Sequence, residues 1–199
     1  MSTVRPRFLT LLAIAVLSTA LLMSASCAKP APADRDVADS SGLFHFRIPS
    51  DWQALVEGNT VSVYAAESLP EEGARADALS MIVYVSSTTT ATPVPEGLLA
   101  YIDYWSESRG WTDKEVSLPT ATTVGDREAT RVDITGVDAN GNRFQAAYIW
   151  VRTAGREVLI TAFTPPERWA EYSDDLDLVL EQWFWLQDDN TAPEEPASP

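Results

Sequence analysis

In residues 43–48 apolar and polar side chains alternate, with Phe44, Phe46 and Ile48 on one side and His45 and Arg47 on the other. That period of two marks a half-buried strand, and Pro49 closes it. Residues 60–66 repeat the pattern with Val61 and Val63 inward. Residues 79–85, 146–151 and 158–163 are apolar on both faces, which predicts central strands covered from both sides. Asn140-Gly141 separates residues 128–137 from 143–152 and predicts a hairpin through a type I′ turn, in which both turn residues take positive φ. Ala154-Gly155 is a second hairpin signal.

Two stretches carry the helical period. Residues 96–109 place Leu98, Tyr101, Ile102 and Trp105 at helical spacing and stop at Gly110, where glycine suits the left-handed end of a helix. Further on, Ser173 is placed to cap a helix whose first turn holds Asp174 and Asp175 and whose stripe is Leu176, Val179, Leu180 and Trp183. Antiparallel strands buried on both faces, with one helix available for each, predict an α+β domain. The expected architecture is a three-layer α/β/α sandwich around a mainly antiparallel sheet.

The two ends read differently. Residues 1–7 carry Arg5 and Arg7 and no acid, and residues 8–23 are an apolar run, the layout of a secretory signal. The run is shorter than the roughly 20 residues a spanning helix needs. Ser24, Ala25 and Ser26 then lead into Cys27, the only cysteine of the chain. This resembles the lipobox of bacterial lipoproteins. The resemblance implies acylation of Cys27, cleavage just before it, and a hold on the cell membrane or outer membrane through lipid, with the domain outside the cytoplasm. Plural acyl chains anchor stably where one does so only marginally. The lipobox usually has Leu where Ser24 stands, and ordinary cleavage after Ala28 is the alternative. The expected organisation is a signal peptide over residues 1–26, a lipid-anchored flexible tether over 27–42, a domain over 43–186 and a disordered acidic tail over 187–199.

Charge narrows the choice of partner. There are 29 Asp and Glu, and loss of Arg5 and Arg7 takes the 14 Lys and Arg to 12, a net charge of −17. Such a surface repels phosphate backbones and anionic headgroups, which argues against nucleic acid and against polybasic membrane attachment. One cysteine and one histidine, His45, cannot make a disulfide or a Cys/His zinc site. The chain has neither a Gly-x-Ser-x-Gly elbow nor a phosphate-cradling glycine loop. No catalytic residue, cofactor or metal is expected.

Two clusters remain. Glu171, Asp174, Asp175 and Asp177 lie together and would serve a carboxylate-dependent hydrolase only if two of them faced one cleft. A capping and solvated helix face is the plainer reading. Trp183, Phe184 and Trp185 are consecutive, and a helix cannot bury all three against one sheet face. Trp183 and Trp185 are therefore the candidate residues for an unknown envelope partner.

The order of these signals also resembles a known family. Phe44-His45-Phe46-Arg47-Ile48-Pro49-Ser50-Asp51-Trp52 is similar to the F-x-F-x-x-P-x-x-W opening of PsbP-like domains and of the lipoproteins that share their fold. A helix ending at Gly110-Trp111, the run Gly125-Asp126-Arg127-Glu128-Ala129, the paired strands and the closing aromatics Trp183-Phe184-Trp185 follow in the same sequence. The resemblance covers residues 43–186. It implies an antiparallel sandwich and a binding or assembly role, without catalysis and without a partner that can be carried over.

Overall fold

The computed structural model describes residues 34–66, 78–86, 93–153 and 155–186. The signal segment, Cys27, the tail over 187–199 and Ala154 of the second hairpin lie outside the described residues. In chain order the elements are β1 (Arg35–Ala38), β2 (Phe44–Ile48), β3 (Gln53–Glu57), β4 (Thr60–Tyr64), β5 (Ser80–Ser86), α1 (Val94–Ser108), β6 (Thr112–Val116), β7 (Thr120–Val124), β8 (Arg127–Val137), β9 (Arg143–Thr153), β10 (Arg156–Thr164), α2 (Trp169–Glu181) and β11 (Trp183–Trp185). The fold is α+β, mainly antiparallel sheet with two helices.

The larger sheet runs β3-β4-β5-β10-β9-β8-β6, and β7 also pairs with β8. Eleven-residue β8 takes both, β6 along its end near Val137 and β7 along its start near Arg127. A smaller sheet runs β1-β2-β11. Strand parity divides the core in two. On β9, Ala147, Ile149 and Val151 join Val158, Ile160 and Ala162 of β10, the small sheet, and Leu176, Val179 and Leu180 of α2. The alternate residues Phe144, Ala146 and Tyr148 join Leu159, Val132, Ile134, and Leu98 and Ile102 of α1. The middles of β9 and β10 are thus apolar on both faces because each face meets a different core.

The structure corrects several sequence expectations. Within the stretch read as flexible tether, residues 35–38 form β1, with Val37 buried and Asp36 ion-paired to Arg47 at 3.2 Å. Composition marked the stretch as polar, whereas β2 supplies a pairing edge that composition does not reveal. The hairpin at Asn140-Gly141 forms, but not through a type I′ turn. Gly141 has φ +81° and its N–H donates to the Asp138 carbonyl at 2.9 Å, while among the described residues the only non-glycine with positive φ is Asp113. Asp138 accepts hydrogen bonds from the Asn140 and Asn142 N–H groups, which favours the longer loop.

The last helix starts earlier than Ser173. A 3-10 turn after Pro165, Pro166–Arg168, leads into α2, and Trp169 and Tyr172 extend its stripe back by one turn. It also ends earlier. Trp183, Phe184 and Trp185 form β11, paired to Phe46, His45 and Phe44 of β2. A strand sends alternate residues to one face, so two of three consecutive aromatics can reach the core, which a helix would not allow.

Asp39 closes the turn from β1 to β2. Its carboxylate accepts the N–H groups of Ser41 at 2.8 Å, Leu43 at 2.7 Å and Phe44 at 2.9 Å, and the Ser41 hydroxyl. Burial opposes its charge, but these hydrogen bonds outweigh burial and hold the carboxyl below its ordinary value. The stability it contributes is complete above the unfolded-state value of about 3.9 and is lost as pH falls below it. Asp39→Asn should therefore cost about 1–3 kcal/mol at neutral pH in urea unfolding and converge on the parent protein in acid.

Candidate functional site

β5 is where the sheet's coverage fails. Met81, Val83 and Val85 enter the core, and the alternate residues Ile82 and Tyr84 were expected to lie under a helix. Helix α1 instead packs over β8 and β9, and Tyr84 is left 44% exposed. The uncovered face forms a cleft of about 520 Å³. Its floor is Ile82 of β5 with Leu159, Thr161 and Phe163 of β10, and Tyr148 of β9 joins it. Its wall is one side of α1: Tyr101, Tyr104, Trp105 and the adjoining Arg109.

The rings brace one another. Tyr101 lies 5.9 Å from Trp105 and 6.3 Å from Tyr148 between centroids, and Tyr148 meets Phe163 edge to face at 5.6 Å. Tyr104 meets Trp105 edge to face at 5.8 Å. The guanidinium of Arg109 stands 4.7 Å over the Trp105 ring. Such contacts fix large apolar walls at little entropic cost. Burial pushes the Tyr148 phenol well above its ordinary value and raises Tyr101 as well, with Arg109 pulling both partway back. Both hydroxyls therefore keep their protons at neutral pH and can donate a hydrogen bond to a ligand.

No carboxylate, imidazole or thiol lines this cleft, so it offers apolar surface, hydroxyls and one cation. That composition suits binding a small molecule. Sequence reasoning placed Tyr101 and Trp105 on a core stripe and gave no role to Tyr84, Tyr104, Tyr148, Phe163 or Arg109. The available signal was a mismatch: three strands apolar on both faces, but one short helix to cover their second side.

The residues singled out from sequence lie elsewhere. Trp183 is 2% exposed, with its ring 4.5 Å from those of Phe44 and Phe46. Trp185 is half-buried and donates Nε1–H to the Val124 carbonyl at 2.8 Å. The exposed ring of the triplet is Phe184, stacked on His45 at 4.7 Å. A surface patch built on Trp183 is thus corrected to a core position, because β11 turns it inward.

The acids of α2 differ in their surroundings. Glu171 pairs with Arg168, whose hydrogen bond holds its carboxyl low, and Asp177 pairs with Arg131 at 3.1 Å. Asp175 is raised, first by burial and then by Asp51, Asp174 and Glu171. None of the five α2 acids lines the cleft, and among the described residues no group of three or more His, Cys, Asp or Glu could hold a metal.

The class of fold follows from this arrangement and from solved structures that share it. The chain has the Mog1/PsbP-like fold. It matches the Ran-binding protein Mog1p of Saccharomyces cerevisiae at 14% identity and a TM-score of 0.55, over 78% of this chain and 97% of that one. It matches cyanobacterial PsbP from Synechocystis at 13% identity and 0.56, over 83% and 99%. It also matches LpqN, involved in cell envelope biogenesis of Mycobacterium tuberculosis, at 16% identity and 0.56, over 78% and 91%. No family model matches the sequence, and neither does any curated protein, so the likeness is one of fold.

Proposed function

We propose that this protein is a non-enzymatic binding module of the bacterial cell envelope, held to a membrane by lipid at Cys27, with the aromatic cleft beside α1 as its ligand site. The cleft carries the reading: it is concave, mainly apolar, braced by its own rings and without an acid–base pair. The lipobox-like Ser24 to Cys27 supports the address, as does the involvement of LpqN, which shares the fold, in cell envelope biogenesis. No helix of the described residues is long and apolar enough to cross a membrane. The finer architecture, three layers with a helix on each face, is supported by the two cores divided by β9 and β10. A hydrolase centred on the acids near Asp174 is the second reading, and the raised carboxyl of Asp175 is what favours it.

Native mass spectrometry of the protein taken from envelopes tests both address and cleft. The mature chain should begin at an acylated Cys27 and carry a small-molecule adduct, and Ile82→Trp, which fills the cleft, should lose the adduct while keeping the anchor. A chain beginning at Lys29 without acyl groups would sink the anchor. An adduct retained by Ile82→Trp would sink the cleft.

A further inference from the structure

The polar groups of the cleft are all donors or hydroxyls, and they have one cation among them. Arg109 lies at the end of α1 and lines the cleft. Arg47, Arg131, Arg152 and Arg168 each meet a carboxylate. Arg109 forms no ion pair with any described carboxylate, although the chain has 29 acids. Asp103, one candidate on the same helix, is taken by Lys114 at 2.8 Å. A guanidinium resting on Trp105 keeps donors free for a planar or phosphate-like anion.

The remaining surface sets the rest of the ligand. Ile82, Leu159 and Phe163 are apolar floor, with no Asp, Glu, Asn or Gln in the lining to read the hydroxyls of a sugar. We infer that the cleft takes a small amphiphilic acid, one anionic head on an apolar or aromatic body, the head held by Arg109 and the hydroxyls of Tyr101 and Tyr148. The body lies along Ile82, Leu159 and Phe163. This rests on the cleft being the ligand site. Arg109 stands 4.7 Å over Trp105, and Tyr101 lies 5.9 Å from Trp105 and 6.3 Å from Tyr148 between ring centroids, so the three donors share one region. A role limited to the dipole at the end of α1 would make Arg109 indifferent to the charge of a ligand.

The test uses a matched pair of probes, decanoate and decan-1-ol, titrated into the full chain with amide and indole resonances followed by NMR. Both should shift resonances of Tyr101, Trp105 and Leu159, with decanoate binding at least about tenfold more tightly, the worth of a charged hydrogen bond. Arg109→Gln should abolish that preference, weakening decanoate at least about tenfold more than it weakens decan-1-ol. Arg109→Lys should keep part of it, and Tyr148→Phe should weaken the acid alone by a few-fold. Equal affinity for the two probes, or a preference that survives Arg109→Gln, overturns the acid inference and leaves an apolar cleft standing. If neither probe moves the cleft resonances, the reading of the cleft as a ligand site falls with it.

Discussion

Trp183→Ala should destabilise the domain by about 3–5 kcal/mol, the range for removing a buried aromatic. Trp183 is 2% exposed and fills the space beside Phe44 and Phe46, each ring centroid at 4.5 Å. It joins β11 to β2 at the Trp183–Phe46 pair, so the cavity would open beside the small sheet within the core it shares with α2. Its Nε1–H has no hydrogen-bond partner among the described residues. Trp183→Phe therefore forfeits no hydrogen bond and should cost much less, under about 2 kcal/mol. Phe184→Ala, one residue on and 44% exposed, should change stability by no more than about 1 kcal/mol. Urea midpoints of the three variants check the order. A Trp183→Ala midpoint equal to that of Phe184→Ala would contradict the inward placement of Trp183.

Gly125→Ala should be comparably damaging, through backbone contact. Gly125 has φ +58°, and a Cβ there would lie 2.3 Å from the Trp183 carbonyl oxygen. Its N–H donates to the Leu180 carbonyl at 2.7 Å, and the neighbouring Val124 carbonyl accepts the Trp185 indole N–H at 2.8 Å. The β7–β8 turn thus clasps the junction of α2 and β11, and a methyl group would pry it open. The left-handed conformation costs a non-glycine residue roughly 1–2 kcal/mol and overpacking against fixed atoms roughly 1–3 more. A loss of about 2–5 kcal/mol should lower the melting temperature by roughly 2–4 °C for each kcal/mol. Gly141→Ala is the control. Gly141 also has positive φ, +81°, but nothing lies within 4 Å of its added Cβ, so only the conformational part should appear. Equal losses at the two glycines would mean that the close approach to Trp183 carries no energy.

Both predictions concern residues whose presence was conspicuous in the sequence and whose placement was not. The aromatic triplet stood out, but whether its rings lie on a helix or a strand depends on an edge of β2 that is more than a hundred residues away in the chain. Gly125 belonged to a run that resembles PsbP-like domains, yet its reason for being glycine lies in the Trp183 carbonyl.

What the sequence determined by itself was the local alternation: β2, β4, β5, β8, β9, β10 and α1 carry periods that physical burial imposes on nearby residues. It also determined the acidity and ruled out a disulfide within the chain and a Cys/His zinc site, since these depend only on which residues exist. The tertiary structure decided what alternation cannot express. Strands β1, β3, β6 and β7 are mostly exposed edge strands, held by backbone pairing that leaves no apolar period to read. The cleft is a lack of cover, set by where α1 rests, over β8 and β9 and short of β5. A side chain's neighbours along the sequence specify its face, but only the packing of distant elements specifies whether that face is covered.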